Sequence, residues 1–231
     1  MFLGRGGAVK GRTALGGSGA GPALDFAVGM NPDRRTQAER SASTRAAVIR
    51  AGRELFGRNG YGAVSTIAVA EAAGVSRGAL YHQFSEKRDL FEAVFEDLER
   101  DLVQVIASAV GAARAADPIA SLIVGCLAWL QASTAPEVRR IALLDAPAVL
   151  GWSRWREIEL RHTIGLVENA LSGAMAAGRV RTQPVRPLAL IVVGALDEAA
   201  QFLANSDDDV ADMAAVRAVI EQLIAGLAVD S

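Results

Sequence analysis

The sequence has 231 residues, 51% hydrophobic and 22% charged, which is the balance of a globular chain that can bury a core. The formal net charge of −2 points to neither nucleic acid nor a membrane surface as a partner. The single cysteine, Cys126, excludes an intramolecular disulfide, and with only two histidines it excludes a four-ligand Cys/His zinc site. We therefore expect no metal and no cofactor.

Residues 1–40 are predicted to lie outside the folded domains. Nine of the 23 glycines occur before Met30, and no apolar periodicity accompanies them. Two explanations stay open: a disordered extension, or an incorrectly assigned start with Met30 as the true first residue. The N-terminus lacks the apolar stretch of a signal peptide, and no apolar run approaches the ~20 residues of a membrane span. We expect a cytoplasmic protein without a membrane partner.

From about Ser43 onward the apolar spacing is helical, and no period-two alternation typical of strands occurs. Glycine, proline and N-capping residues divide this region into about nine helices, which predicts an all-α fold. The predicted helices are Thr44–Asn59, Thr66–Ala73, Arg77–Gln83, Glu86–Ala113, Pro118–Ser133, Pro136–Ala146, Ser153–Ala177, Pro184–Asn205 and Asp209–Ala228. We assign residues 41–92 to a first domain and residues 93–231 to a second.

The charge is divided between these two parts. Residues 34–88 carry ten basic and four acidic side chains, a net charge of +6, whereas residues 89–231 carry a net charge of −9. A basic module joined to an acidic one favours binding of a polyanion by the first part.

The stretch from Gly60 to Phe91 reads GYGAVSTIAVAEAAGVSRGALYHQFSEKRDLF. It contains two short helices joined by a tight turn at Gly74, which is the spacing of a helix-turn-helix. Val69, Ala73 and Val75 can pack the two helices together. The second helix then leaves one face exposed.

This stretch resembles the DNA-binding domain of TetR-type transcriptional regulators, and the resemblance covers about residues 44–95. The residues that carry it are Phe56, Gly60, Tyr61, Ala70, Ala73, Gly74, Val75, Ser76, Leu80, Tyr81, Phe84, Lys87, Leu90 and Phe91. It implies a three-helix N-terminal DNA-binding domain followed by a helical domain that binds a ligand and dimerises.

The resemblance also implies roles for single residues. Ser65 and Thr66 would contact phosphates at the start of the second helix, and Tyr81 and Lys87 would contact further phosphates. Arg77 is the best candidate for a specific base contact, bidentate to guanine. The full set of predicted DNA-binding residues is Ser65, Thr66, Ser76, Arg77, Gly78, Ala79, Tyr81, His82, Gln83 and Lys87.

Two positions depart from the family pattern. Ile67 replaces a residue that is commonly polar or basic, so one phosphate contact is in doubt. Ala79 replaces the usual threonine or serine, and its methyl group can only read a thymine methyl or leave room for water. These departures are the sequence support for an alternative function, a helical ligand-binding or scaffold protein without DNA affinity.

The acidic part contains all three tryptophans, and aromatic side chains on neighbouring helices can line a ligand pocket. The candidate pocket residues are Cys126, Trp129, Trp152, Trp155 and His162. Ordinary core and loop packing explains the same residues almost equally well, and Cys126 is in either case predicted to be a buried structural thiol.

The last two helices carry apolar stripes that predict a homodimer interface. The candidate interface residues are Ile191, Ala195, Ala199, Phe202, Met213, Val216, Ile220, Leu223 and Leu227. A stripe of this kind can also face the core of its own chain, and the sequence leaves that alternative open.

No paired carboxylates, nucleophile elbow or glycine-rich phosphate loop appears in the sequence, so we expect no enzyme. The sequence and the resemblance together predict a transcriptional regulator, a repressor that binds a pseudo-palindromic double-stranded DNA operator as a dimer. A small-molecule effector in the second domain would control it.

Overall fold

The computed structural model describes residues 36–206 and 209–229. Within them the chain forms ten helices, and the only β pairing there is an isolated bridge between Val180 and Ala228. The all-α prediction is confirmed. The helices are α1 (Gln37–Ala63), α2 (Thr66–Ala72), α3 (Arg77–Gln83), α4 (Lys87–Ala113), α5 (Pro118–Ser133), α6 (Pro136–Leu150), α7 (Trp152–Arg161), α8 (Thr163–Ala176), α9 (Val185–Ala204) and α10 (Asp209–Ala225).

Helix α1 begins seven residues before the predicted start at Thr44. The cause is a capping box, in which the Thr36 side chain accepts from the Glu39 backbone N–H and the Glu39 carboxylate accepts from the Thr36 N–H. The end of the predicted extension, residues 37–40, is therefore helical. Residues 1–35, including Met30, lie outside the described residues.

Gly60 interrupts α1 with a φ of 77° and a ψ of 160°. These angles are not those of a left-handed helix cap, and one further helical turn, Tyr61–Ala63, follows the kink. A Cβ atom at position 60 would also overlap the Arg140 guanidinium, which packs against the backbone there. The backbone angle is what requires glycine here, because the Arg140 guanidinium is the end of a flexible side chain that can move aside.

The second half departs from the predicted helices in two places. Helix α6 runs on to Leu150, and its middle, Arg139–Asp145, is π-helical. The predicted helix Ser153–Ala177 is broken at His162, whose φ of −118° and ψ of −96° are not helical. This break accounts for one helix more than the sequence predicts.

Two hydrophobic cores lie along α4. The first centres on Phe56, Phe91 and Phe95 and extends to Ile141 and Ile158 in α6 and α7. The second is built from α5, α8, α9 and α10. The predicted domain boundary at residue 92 falls inside α4, and α4 contributes side chains to both cores.

One arginine of α1 joins three helices on the outside of the first core. The Arg53 guanidinium pairs with Asp97 at 3.3 Å and with Asp101 at 2.5 Å, both on α4, and with Glu137 of α6 at 2.5 Å. These pairs hold α1, α4 and α6 together beside the core.

Candidate nucleic-acid interface and internal cavity

Helices α2 and α3 form the predicted helix-turn-helix. In the turn, Gly74 has a φ of 66° and the Val75 N–H donates to the Ala70 carbonyl at 3.0 Å. The side chain of Ser65 caps α2 by accepting from Ala68 N–H, and that of Ser76 caps α3 by accepting from Ala79 N–H, each at 3.1 Å.

The outer face of α3 contains most of the predicted DNA-binding residues. Ser76, Arg77, Gly78, Tyr81 and His82 are exposed, while Leu80 on the opposite face is buried in the first core. Ala79 is half-buried at the edge of this face. The arrangement leaves a convex, uncovered helix surface that carries a cation and several hydrogen-bonding groups.

Three of the predicted contact residues form one connected group. The Tyr81 and Thr66 hydroxyl oxygens are hydrogen-bonded at 3.0 Å, and the Arg77 guanidinium carbon lies 5.4 Å from the centre of the Tyr81 ring. The Thr66 hydrogen bond, followed by Arg77, lowers the pKa of the Tyr81 hydroxyl. The N-terminus of α2 and the middle of α3 are thereby fixed relative to each other.

Lys87 begins α4, and its ammonium nitrogen lies 4.1 Å from the centre of the Tyr61 ring, a cation–π contact. Partial burial lowers the pKa of Lys87, and the Asp145 carboxylate opposes that effect. Tyr61 itself packs edge-on against Phe91 at 5.1 Å between ring centres. The predicted phosphate-binding lysine is therefore positioned by the first core.

The N-terminal turns of α1 contact the end of α3, which was not predicted from the sequence. Ser41 accepts a hydrogen bond of 2.8 Å from the Gln83 side-chain amide, so this predicted DNA-binding group is already engaged within the chain. The Arg45 guanidinium carbon lies 4.4 Å from the centre of the Phe84 ring. The Thr36–Glu39 capping-box pattern is the sequence signal that could have revealed these turns.

A cavity of about 370 Å³ lies between α4, α5, α8 and α9 and opens to solvent beside the exposed Ala107 and Gly111. Its wall is almost entirely apolar, and it is formed by Ile106, Ala107, Val110, Gly111, Ser121, Leu122, Gly125, Cys126, Trp129, Thr163, Leu166, Val167, Ala170 and Leu196. Of the predicted pocket residues, only Cys126 and Trp129 line it. Burial raises the pKa of the Cys126 thiol to about 12.

The other three predicted pocket residues lie elsewhere, which corrects the sequence prediction. Trp152 is 65% exposed at the start of α7, and Trp155 is buried in the first core and does not line the cavity. Their rings are 5.0 Å apart, and the Arg156 guanidinium packs over both. His162 is half-buried at the α7–α8 break, where burial lowers its pKa, and does not line the cavity.

Two buried carboxyl groups, Glu99 and Glu159, and the half-buried Asp197 lie beside the cavity, although the sequence shows no paired carboxylates. Glu99 is 3% exposed and accepts a hydrogen bond of 2.6 Å from the Thr163 hydroxyl. Glu159 and Asp197 approach it from α7 and α9. Burial is the main cause that raises the pKa of Glu99 to about 7, of Glu159 to about 9 and of Asp197 to about 6.

The predicted dimer stripe is partly exposed and partly internal. Ile191, Phe202 and Leu223 are 65%, 52% and 44% exposed. The half-buried members of the stripe are Ala195, Ala199, Met213, Val216 and Leu227. Ile220, at 4% exposure, packs in the second core of its own chain, so its assignment to an interface is wrong.

Exposed apolar side chains that the prediction did not include extend this surface on α9 and α10. They are Leu190, Val210 and Val219. Helix α9 is also long and apolar enough to cross a membrane, contrary to the expectation from the sequence. The core helix of a folded domain passes the same test, and Val192, Val193 and Leu196 of α9 are buried in the second core.

Two family models match the chain, one described as bacterial regulatory proteins of the tetR family over residues 48–94, the other as the tetracyclin repressor-like C-terminal domain over residues 119–227. The sequence is 31% identical to that of a TetR-family transcriptional regulator from Pectobacterium atrosepticum whose crystal structure is known. The match covers 85% of this chain and 99% of that one, with a TM-score of 0.70. This chain belongs to the TetR family of transcriptional regulators.

Other relatives match less of the molecule or only its fold. The HTH-type transcriptional regulator CymR of Pseudomonas putida is 41% identical over 75 residues, which is 32% of this chain and 37% of that protein. The chain thus matches little more than a third of CymR. The transcriptional regulator FadR from Bacillus subtilis, solved in complex with stearoyl-CoA, is 18% identical, with a TM-score of 0.64 over 78% of this chain and 97% of that one, and shows a shared fold.

The tetR family match spans every residue predicted to contact DNA, from Ser65 to Lys87. The protein is therefore a DNA-binding transcriptional regulator of the TetR family, with a helix-turn-helix in α2 and α3. Regulators of this family bind DNA and small-molecule effectors and act as dimers. Both matching family models describe regulators.

Proposed function

We propose that the protein is a homodimeric repressor that binds a pseudo-palindromic double-stranded DNA operator and releases it when a small molecule enters the internal cavity. The observation that carries the proposal is the exposed face of α3, where Arg77 and Tyr81 stand beside Thr66 of α2. Ser76 caps this helix at the end that would meet base edges. Since such a regulator must reach the chromosome, we expect it in the cytoplasm.

The exposed apolar side chains of α9 and α10 support dimerisation. Ile191, Phe202 and Leu223 are more than two-fifths exposed, and large apolar groups on adjacent helices mark an interaction surface. Packed against the same two helices of a second copy, they would form a four-helix interface around a two-fold axis. The two α3 helices would then read half-sites about 34 Å apart, one turn of B-DNA.

The cavity supports the effector response. Its volume of about 370 Å³ and its apolar wall are those of a small-molecule site. FadR, which shares the fold, was solved with stearoyl-CoA bound. We infer a smaller effector for this chain and place it among α4, α5, α8 and α9.

Helix α6 offers the route from the cavity domain to the DNA-binding domain. Leu143 belongs to the second core, and its carbonyl accepts a hydrogen bond from Gln201 of α9. Two residues further on, the Asp145 carboxylate accepts from Tyr61 N–H at 2.7 Å. The Arg88 side chain, on α4 next to Lys87, donates to the Val149 and Leu150 carbonyls at the end of α6. A shift of α6 would therefore move both Tyr61 and the start of α4.

Fluorescence anisotropy tests the proposal. The full-length protein is added to labelled DNA from upstream of its own gene, and in parallel to labelled scrambled DNA, at two salt concentrations. Preferential binding that weakens with salt supports a sequence-specific regulator. Absence of binding at low salt would contradict the proposal and favour the alternative of a scaffold protein, with exposed Ile67 and half-buried Ala79 as the first residues to replace.

A further inference from the structure

The polar end of the cavity lies at the break between α7 and α8. Apart from the Cys126 thiol, two side chains with hydroxyl groups line the wall, and both donate within the chain: Ser121 to the Ala115 carbonyl at 3.3 Å and Thr163 to the Glu99 carboxylate at 2.6 Å. Thr163 therefore has the cavity on one side and a buried carboxyl group on the other. Leu196, which also lines the wall, precedes Asp197.

The charges behind Thr163 do not balance. Glu99, Glu159 and Asp197 provide three carboxyl groups, and Arg156 is the one cation that interacts with Glu159 and Asp197 among the described residues. Arg156 is itself shared with two tryptophan rings, at 4.6 and 4.5 Å from their centres. If all three acids were ionised, the cluster would carry a net charge of about −2, which is costly in a buried site.

The same cluster also has unused hydrogen-bonding capacity. Four buried side-chain atoms among the described residues lack a hydrogen bond, and all of them belong to this group: Trp155 Nε1, Arg156 Nη1, Glu159 Oε2 and Asp197 Oδ1. Arg156 Nη1 and Glu159 Oε2 are 3.0 Å apart as an ion pair, but not in line for a hydrogen bond. Buried polar groups are normally satisfied, so a cluster of this kind is expected to take up a polar group from outside the chain.

We infer that the cavity takes a small effector with an apolar body and one basic nitrogen, and that the nitrogen lies at the Thr163 and Glu99 end. This inference rests on the proposed function of the cavity as the effector site. The apolar wall would hold the body, and an ammonium group would let a carboxyl group of the cluster ionise as part of an ion pair. An anionic group at the same end would instead disfavour ionisation of the nearby carboxyl groups, and a neutral one would form no ion pair.

Binding of an ammonium ion is then linked to ionisation of Glu99. The charged groups that face Glu99 are Asp197 of α9 and Glu159 of α7, and Arg156 of α7 faces both of these. The pKa of Glu99 is raised to about 7, so below this pH the carboxyl group must lose a proton before it can pair with a cation. The affinity for an amine should therefore fall about tenfold per pH unit below that value and level off above it.

Three probes with the same apolar body test the inference: phenylpropylamine, phenylpropanol and phenylpropanoate. Their affinities for the full-length protein are measured by isothermal titration calorimetry. We expect the amine to bind at least about tenfold more tightly than the alcohol, and the carboxylate to bind most weakly. The Glu99→Gln variant should bind the amine and the alcohol with about the same affinity.

Glu168→Gln is the matched control, because Glu168 lies on α8 but pairs outward with Arg186 at 3.0 Å. It should keep the preference for the amine. If Glu99→Gln does not fold, the pH dependence of amine binding to the wild-type protein provides the same test, with the alcohol as the reference that should not change.

Three results would overturn the inference: an alcohol that binds as tightly as the amine, a preference that survives Glu99→Gln, or no binding of any probe by protein that still binds its operator DNA. The last result would leave the proposed DNA-binding function intact. Failure to bind DNA, in contrast, would contradict the proposed function whatever the probes show.

Discussion

The Asp145 carboxylate of α6 accepts a hydrogen bond of 2.7 Å from the backbone N–H of Tyr61, 84 residues earlier in the chain. Asp145 also pairs with Arg140 at 3.4 Å, and Arg140 packs against Gly60. The π-helical segment of α6 therefore contacts α1 at its kink, Gly60, and at the residue that follows it, Tyr61. Tyr61 in turn lies under the Lys87 ammonium group.

Asp145→Ala should lower the free energy of unfolding by about 1–2 kcal/mol, because it leaves the half-buried Tyr61 N–H without its acceptor. It should also weaken DNA binding, since Tyr61 positions Lys87. Urea unfolding and DNA anisotropy measure the two effects. Asp145→Asn keeps an acceptor oxygen and should lose less. Equal losses in both variants would show that the negative charge matters and the hydrogen bond does not.

Gly60→Ala should lower the free energy of unfolding by about 2 kcal/mol or more, because alanine is strained at a φ of 77° and its Cβ would overlap Arg140. Gly62→Ala, in the same turn, is the control. An added Cβ there meets no heavy atom within 4 Å, and alanine favours helix. Thermal unfolding of the two variants compares them directly, and similar midpoints would refute the argument.

Lys87→Ala should weaken binding to operator and scrambled DNA by a similar factor, as expected for loss of a phosphate contact. The slope of log affinity against log salt concentration should fall by about one.

Arg77→Ala should weaken binding and also reduce the preference for operator over scrambled DNA by about 1–3 kcal/mol, as expected for loss of a base contact. Anisotropy titrations over a range of salt concentrations distinguish these effects. Arg186→Ala, on α9, is the control for lost positive charge. An unchanged preference in Arg77→Ala would contradict the assigned role.

Phe202→Glu should convert the protein from a dimer to a monomer at micromolar concentration, because it places a charge in the apolar surface of α9 and α10. Light scattering measures the molecular mass. Val105→Glu changes a side chain of similar exposure, 49% against 52%, on α4, and should leave the dimer intact. A wild-type protein that is already monomeric would exclude the proposed interface.

The buried carboxyl group of Glu99 should make stability depend on pH in a defined direction. Its pKa rises from 4.5 to about 7 on folding, so the folded state holds the proton more tightly than the unfolded state. Stability attributable to this group is then present below pH 4.5 and lost as the pH rises to about 7, on the order of 3 kcal/mol. Urea unfolding of wild type and Glu99→Gln should diverge over this range, whereas parallel curves would refute the assignment.

The local features of the DNA-binding half could be predicted because each depends on residues close together in the sequence. The bounds of α3, Arg77–Gln83, follow from the Ser76 cap and from the end of the apolar spacing. The start of α1 was wrong because the Thr36–Glu39 capping box precedes the first apolar residues of the pattern.

The second half was harder to predict because its site is assembled from distant helices. The break at His162 is marked in the sequence only by Gly165, where an added Cβ would lie 2.9 Å from the Leu160 carbonyl oxygen. The hydroxyl of Thr163, the residue after the break, bonds to the distant, buried Glu99. Glu99, Glu159 and Asp197 are separated by dozens of residues, so their spacing carries no signal. The tryptophans are close in sequence, but Trp155 packs in the first core, Trp152 is exposed, and only Trp129 lines the cavity.

Helix α4 is a continuous rod of 27 residues, about 40 Å long at 1.5 Å per residue. Lys87 lies at one end, and Ile106 and Val110 form part of the cavity wall near the other. A tilt of about 5° pivoting at the cavity end would displace Lys87 by roughly 3 Å, as far as a hydrogen bond is long. A rigid tilt of α4 could therefore break the Lys87 contact with DNA without local unfolding of the helix.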